Sequence, residues 1–387
     1  MWKTLAMAGA TACALATALP AAADQGITDD EIRFAQVAAF DGPAAALGTG
    51  MREGILAAFA EANAAGGVYG RMLALDTWDD GYEPDQSVAQ LQTVLDGDGH
   101  IALIGPVGTP TTRATQPLAT EAGFPMIGAF TGAGFLRDTS LGNVWNLRAS
   151  YGAETEAWIA HLVDDLGMTD IAILYQDDGF GRVGLDGVTE ALARRDMTLV
   201  AEGTYLRNTT AVRGALLDIR AAEPQAVVMV GAYRPIAEFV RLSRQLRFEP
   251  TFVNISFVGS RALADELGAD GEGVIISQVV PFPWDASIPV VESYQSALAA
   301  HDAALAPDFV TMEGYLVGRM AIAALEAAGP DLTREAYLDA LSSMTSVDID
   351  GLEMQFGPGD NQALDVVFLT RINADGSFSP VPTGGSS

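Results

Sequence analysis

Residues 101–133, IALIGPVGTPTTRATQPLATEAGFPMIGAFTGA, read as strand, polar loop, helix, strand and a second polar loop in direct succession. Ile101–Ile104 is a short apolar run ended by Gly105-Pro106, and Pro125–Ala129 is another; this is the pattern of buried parallel strands between helices. Both loops follow carboxyl ends of strands and open on the same side, the edge at which ligands bind in open α/β sheets. The first loop presents Thr109, Thr111 and Thr112 around Pro110, with Thr109 read as the N-cap and Pro110 as the first helical residue. Free N–H groups and hydroxyls at such a helix start suit a carboxylate or another polar head group. The second loop adds Phe130, Thr131 and Gly132. Capping and turn chemistry alone would also account for each threonine, but two such loops side by side favour a site.

Outward from this stretch the βα rhythm continues in both directions. Before it come a strand at Ile32–Ala39, a loop with Asp41-Gly42-Pro43 and Leu47, a helix around Met51–Ala65, a strand at Leu73–Trp78 and a helix at Pro84–Leu95. After it, strands are expected at Val144–Leu147, Ile171–Tyr175, Leu199–Glu202, Ala226–Val230 and Phe252–Ile255. Helices are expected near Ala153–Leu166, Arg182–Arg195, Val212–Ala222 and Ile236–Leu246. Such alternation means parallel sheets covered by helices, and so many strands fit two Rossmann-like lobes better than one sheet. The length of 387 residues agrees, with roughly 100–200 residues for each lobe. Breaks in the pattern fall at Arg148–Gly152 and Gln278–Trp284. Beyond the second, helices at Val290–Ala304, Thr311–Ala328 and Thr333–Leu341 are too few for a third lobe and are expected to return to the first. Leu352–Phe356 and Val366–Ile372 read as late strands, the second ending in the turn Asn373-Ala374-Asp375-Gly376.

Composition excludes several chemistries. Met1–Ala23 reads as an export signal, with Lys3, an apolar stretch and Ala21-Ala22-Ala23 before Asp24. It contains Cys13, the only cysteine, so a processed chain would have no disulfide and no catalytic thiol. Lys3 is likewise the only lysine, which leaves 20 arginines against 50 acids in a chain of net charge −29. There is no lysine for a Schiff base, a P-loop or a basic nucleic-acid face, so no nucleic-acid partner is expected. The acidic surface favours solubility. His100, His161 and His301 are too scattered for a zinc site, and no metal or other cofactor is expected.

Gly179-Phe180-Gly181-Arg182-Val183-Gly184 matches G-x-G-x-x-G after a strand and before a helix, the context of a dinucleotide fingerprint. Asp177 and Asp178 stand directly before it, where two carboxylates would oppose a pyrophosphate, and the alternative is a glycine-rich turn with Phe180 as an apolar wall. Asp79-Asp80 and Asp177-Asp178 have neither EF-hand spacing nor a nearby nucleophile, and read as strand-end solvation. Tyr233 and Arg234 end another strand, Asn254 and Ser256 the next, and Glu313 is a lone acid at a helix start, read as a cap or hinge contact.

With Asp41-Gly42-Pro43, Ile104-Gly105-Pro106, Pro125-Met126-Ile127, residues 175–187 and residues 231–235 in this order and spacing, the chain resembles the Leu/Ile/Val-binding-protein family. These are periplasmic substrate-binding proteins of branched-chain-amino-acid-type ABC transporters. The resemblance implies an α/β, type I periplasmic-binding-protein fold with two Rossmann-like lobes joined by a three-strand hinge: residues 24–149 and 279–348 in lobe 1, and 150–278 and 349–387 in lobe 2, with crossovers near Ala149, Val279 and Ile349. It implies a non-enzymatic periplasmic monomer that captures a small organic ligand between closing lobes and delivers it to a membrane permease. Carried over by position, ligand contacts fall at Leu47, Thr109, Phe130, Thr131, Gly132, Phe180, Tyr233 and Ser256, and Thr111 of the first loop completes the expected set. Where amino-acid binders place an acid for the ligand ammonium this chain has Ser256, which points to a carboxylate or amide with an apolar or aromatic body rather than to leucine, isoleucine or valine. The alternatives are a ligand-sensing subunit of a signalling system and an exported α/β enzyme or NAD-dependent dehydrogenase.

Overall fold

The computed structural model describes residues 25–357 and 359–382; the expected export segment, with Lys3 and Cys13, lies outside the described residues. The first half alternates strand and helix: β1 (Glu31–Ala38), α1 (Ala45–Ala64), β2 (Met72–Asp79), α2 (Pro84–Gly97), β3 (Leu103–Ile104), α3 (Thr109–Glu121), β4 (Met126–Ile127) and β5 (Val144–Trp145). These strands form one parallel sheet in the order β2-β1-β3-β4-β5. Leu103, Ile104, Met126 and Ile127 are fully buried, as short apolar runs between covering helices must be.

The second sheet takes α4 (Tyr151–Ile159, continued by a π-type turn), β6 (Ile171–Gln176), α5 (Gly179–Ala193), β7 (Ala201–Tyr205), α6 (Arg213–Ala221), β8 (Ala226–Val230), α7 (Tyr233–Gln245), β9 (Thr251–Asn254), α8 (Ser260–Leu267) and β10 (Ile275–Gln278). Side-chain oxygens of Ser150 and Asp178 cap α4 and α5. In α7, Ile236, Phe239 and Val240 are buried, while Arg241 and Arg244 bond outward to carbonyls of Glu266 and of Asp270 and Glu272. The chain then forms α9 (Pro289–His301), α10 (Phe309–Ala328) and α11 (Arg334–Ser343), and α10 lies along α1. A Cβ on Gly54 would sit 2.1 Å from the Thr311 carbonyl oxygen, and one on Gly314 would sit 2.4 Å from that of Met51. Glycine is what lets these two backbones touch.

The end of the chain differs from expectation. Ser346–Ile349 (β11) and Leu352–Gln355 (β12) form a separate hairpin, and β11 packs on α10. The chain therefore does not leave the first sheet's side near Ile349. The segment that runs beside the first crossover is Asn361–Leu364: Asn146 N donates to Asn361 O, and the Ala363 and Leu364 amides donate to Asn146 O and Leu147 O. It leads into β13 (Phe368–Ile372), antiparallel to β10, and β14 (Phe378–Pro380), antiparallel to β13, in the order β14-β13-β10-β9-β8-β6-β7. Pro380 ends β14, which is an edge strand, where proline is tolerated.

Candidate ligand-binding cleft

The loops after β3 and β4 meet, as two adjacent parallel strands require. Phe130 N donates to Pro106 O, Gly108 N donates to Phe130 O, and the hydroxyls of Thr109 and Thr131 lie 2.6 Å apart, fully buried. Thr109 is not the N-cap; Gly108 holds that place and Thr109 is the first helical residue. The Thr111 hydroxyl donates to the Val107 and Gly108 carbonyls and that of Thr112 to Gly108, so both are engaged within their own turn. Gly132 lies against Tyr151, where a Cβ would meet the ring at 2.5 Å.

Across from these loops stand the carboxyl ends of the second sheet. Phe257, one residue beyond Ser256, enters between the sheets with its ring centroid 5.9 Å from Tyr82, 5.4 Å from Phe130 and 4.7 Å from Phe180. Tyr151 packs on Phe180 at 5.6 Å. Leu47 is fully buried, with a methyl 2.6 Å from where a Cβ on Gly259 would lie, and the Tyr233 hydroxyl is 3.4 Å from Ala46 N. Thus Leu47, Thr109, Phe130, Thr131, Gly132, Phe180, Tyr233 and Ser256 all line or border one buried seam, whereas the Thr111 hydroxyl turns back into its helix.

Charge is concentrated where the chain passes between the sheets. Arg148 stands three residues beyond the end of β5, is 1% exposed, and lies over the Phe130 ring at 4.4 Å. Its Nη2 donates to Ser256 Oγ at 2.6 Å, and its Nε lies 3.1 Å from Glu313 Oε1 without the alignment of a hydrogen bond. Burial, opposed by Arg148 and reinforced by Glu154, raises the Glu313 carboxyl to about 7. Glu154, also buried, accepts from Ser256 N, Ser256 Oγ and Ser277 Oγ. Burial, with Arg148 adding, lowers the Arg137 guanidinium to about 10; it donates to carbonyls of Thr131, Ala133 and Arg148 and to Gln362. A cavity of about 10 Å³, room for one water at most, is bounded by Phe130, Arg148, Ser256, Gln278, Phe309 and Glu313.

Sequence reasoning missed Arg148, Phe257, Tyr82 and Tyr151. Arg148 and Phe257 both follow a strand's carboxyl end, the same rule that drew attention to the threonines. The paired acids are structural. Asp79 accepts the Phe40 and Asp41 amides, and buried Asp80 accepts Tyr82 N and Ser87 Oγ. Asp177 pairs with Arg182 at the surface, and Asp178 caps Phe180 N. The G-x-G-x-x-G glycines serve packing: a Cβ on Gly181 would lie 1.9 Å from Gln176 O and one on Gly184 would lie 2.5 Å from Val230. The helix start a pyrophosphate would need already holds the Asp178 carboxylate. Among the described residues no cluster of three or more His, Cys, Asp or Glu is placed to hold a metal ion, and no helix is long and apolar enough to cross a membrane.

Two helix-covered sheets that present their strand ends to one seam define a type I periplasmic-binding-protein fold. The chain belongs to the periplasmic binding protein family, whose pattern residues 31–377 match, and within it to the branched-chain-amino-acid type. A possible leucine/isoleucine/valine-binding protein from Rhodopirellula baltica is 36% identical, with TM-score 0.87 over 95% of this chain and 99% of that one. Leu/Ile/Val-binding protein BraC3 of Rhizobium johnstonii is 25% identical over 322 residues, 80% of this chain and 83% of that protein. The Streptococcus pneumoniae branched-chain amino acid transporter substrate-binding protein LivJ, solved with isoleucine, is 16% identical and shares the fold, with TM-score 0.79 over 91% of this chain and 99% of that one.

Proposed function

We propose that this chain is the periplasmic solute-binding component of an ABC transporter, a monomer without catalytic activity that captures a small organic ligand between two closing lobes and presents it to a membrane permease. The observation that carries the reading is the seam itself: one buried aromatic surface built by both sheets, with Phe257 reaching from the second onto Tyr82 and Phe130 of the first. Such a surface lies at the strand ends where α/β sheets bind ligands and becomes accessible only if the lobes separate. In this reading β1–β5 with α9–α11 and the β11–β12 hairpin form one lobe, and α4–β10 with β13 and β14 form the other. The crossovers lie at Arg148–Ala149, near Val279, and at Asn361–Leu364. The ligand class is a carboxylate, amide or amino acid with an apolar or aromatic body, since the seam joins aromatic walls to one cluster of polar groups at the crossover.

A thermal-shift screen of small organic acids, amides and amino acids, followed by calorimetry and solution scattering, tests this. Large stabilisation by one solute class, a smaller radius of gyration on saturation and no chemical change in the solute are expected. Turnover of a stabilising solute, or tight binding with an unchanged radius, would overturn the reading.

A further inference from the structure

We propose that Arg148, in the first crossover, is the receptor for the ligand's carboxylate, and that Glu313 is the proton acceptor that keeps the closed site neutral. This deepens the receptor reading above and rests on it. A guanidinium carries five N–H donors, and a buried one is normally matched by acceptors. Arg148 is 1% exposed; Nη2 donates to Ser256 and Nε lies 3.1 Å from Glu313 Oε1 in an ion pair, while Nη1 has no hydrogen-bond partner. Its neighbours meet that need only in part. Glu154 is taken by the three Ser256 and Ser277 donors, Gln278 donates to Ser260 and Thr370, and Glu313 Oε1 is held only by its ion pair with Arg148 Nε. These open valences belong to residues that bound the small cavity between the crossovers and the start of α10. An arginine fork matches a carboxylate with two parallel bonds, a geometry that the single hydroxyls of Thr109 and Thr131, bonded to each other, do not offer.

Charge accounting then gives a signature. Facing Glu313 are Arg148 from the crossover, Arg137 from the loop after β4 and Glu154 from α4, and Tyr151 lies beside Arg148 as a neutral phenol. Two buried arginines balance two buried carboxylates. A ligand carboxylate adds one negative charge, which one proton taken from solvent by Glu313 cancels. Its raised pKa, about 7, makes that uptake inexpensive near neutral pH. Acid binding should therefore weaken by about tenfold from pH 6 to pH 8, and amide binding should not change.

The test is calorimetry at pH 6 and pH 8, in buffers of different ionisation enthalpy, with 4-methylpentanoate, phenylacetate, their two amides and leucine as probes. The wild-type chain, Glu313→Gln and the charge-neutral pair Arg148→Met with Glu313→Gln are compared, with melting curves to establish that each folds. The two acids are expected to bind at least tenfold tighter than their amides and to take up close to one proton at pH 8. The double variant should fold and lose acid binding by a hundredfold or more, and Glu313→Gln should bind acids without the pH dependence. Equal binding of acids and amides, a preference for leucine over 4-methylpentanoate, no binding by any of the five probes, or acid binding that survives in the folded double variant would each overturn the assignment. The receptor reading is judged separately, by the broader solute screen and the scattering change.

Discussion

The threonine corner after β3 and the arginine crossover after β5 sit on the same seam, both at carboxyl ends of strands of the first sheet, yet they solve burial differently. At the threonine corner the hydroxyls of Thr109, Thr111, Thr112 and Thr131 all have partners within the protein. At the crossover, Arg148 Nε and Glu313 Oε1 pair at 3.1 Å without the alignment of a hydrogen bond, and Arg148 Nη1 has no partner. An unpaired buried group costs free energy, so a fold that keeps one at its functional edge invites the reading that something else pairs with it. The threonines fit a role in shaping that edge, the crossover one in recognition.

The largest effect should come from separating the charges. Arg148→Met alone leaves Glu313 buried without its counter-ion and should destabilise the fold by about 3–5 kcal/mol at pH 8, whereas the double change with Glu313→Gln should recover most of this. Urea unfolding of both variants measures the difference; equal losses would mean that Arg148 matters for packing and not for charge. Phe257→Ala comes next. The ring is fully buried among aromatics, and its loss should cost about 3 kcal/mol if the seam behaves as an ordinary core. If the seam is a cleft that opens, most of that cost should appear as weaker closure, with a larger ligand-free radius in scattering and a smaller drop in the unfolding midpoint.

Thr109→Val tests the other side of the comparison. Removing one hydroxyl of the buried pair leaves that of Thr131 with only the Ala133 amide as partner and should cost about 1–3 kcal/mol in ligand binding or stability. A loss confined to stability, with calorimetric affinity unchanged, would assign the threonines to architecture alone. The corner itself was legible in the sequence because two apolar runs, each ended by a turn, leave little choice for where the loops go. Its chemistry was less so: Thr109 reads as a cap until the neighbouring loop supplies Thr131, twenty-two residues on, as a partner. Arg148 and Glu313 are 165 positions apart and their pairing depends on how α10 returns along α1, which no local pattern encodes. The misplaced crossover has a similar cause. Residues 346–355 alternate like sheet strands, but pair only with each other.

Burial also sets the pH dependence of stability. Burial raises Asp80, partly offset by Ser87 and Tyr82 N, and likewise Asp308, each to about 6, and Glu313 to about 7. All three bind protons more tightly in the folded chain than in the unfolded one. Their contribution is greatest below the ordinary carboxyl range and is lost as pH rises through about 6 to 7. The net charge of −29 acts in the same direction. The melting temperature should fall by several degrees, to order of magnitude, between pH 5 and pH 8. A rise over that interval would mean that these acids are ionised and well paired in the fold, and would remove the basis for proton uptake at Glu313.

The smallest expected effect is at the rim. Arg207, after β7 of the second sheet, lies 2.8 Å from Glu83, next to the first sheet's Tyr82, and 3.0 Å from Asp178 of its own lobe, while Asn208 donates to Gly81 O and to Glu83. In the proposed receptor these bonds span the mouth of the seam and would form only with the lobes together. Arg207 is partly exposed, so salt and solvent weaken the pair, and Arg207→Gln should shift the balance between open and closed forms by about 1 kcal/mol or less. That is roughly a fivefold change in population at most, visible as a few-fold weaker affinity and a slightly larger ligand-free radius. High salt should have the same effect on the native chain and little on the variant. If Arg207→Gln changes the unfolding midpoint but neither radius nor affinity, the contact is a brace within a fixed body. The comparison between a closed threonine corner and a recognising crossover would then have to be made without any motion between the lobes.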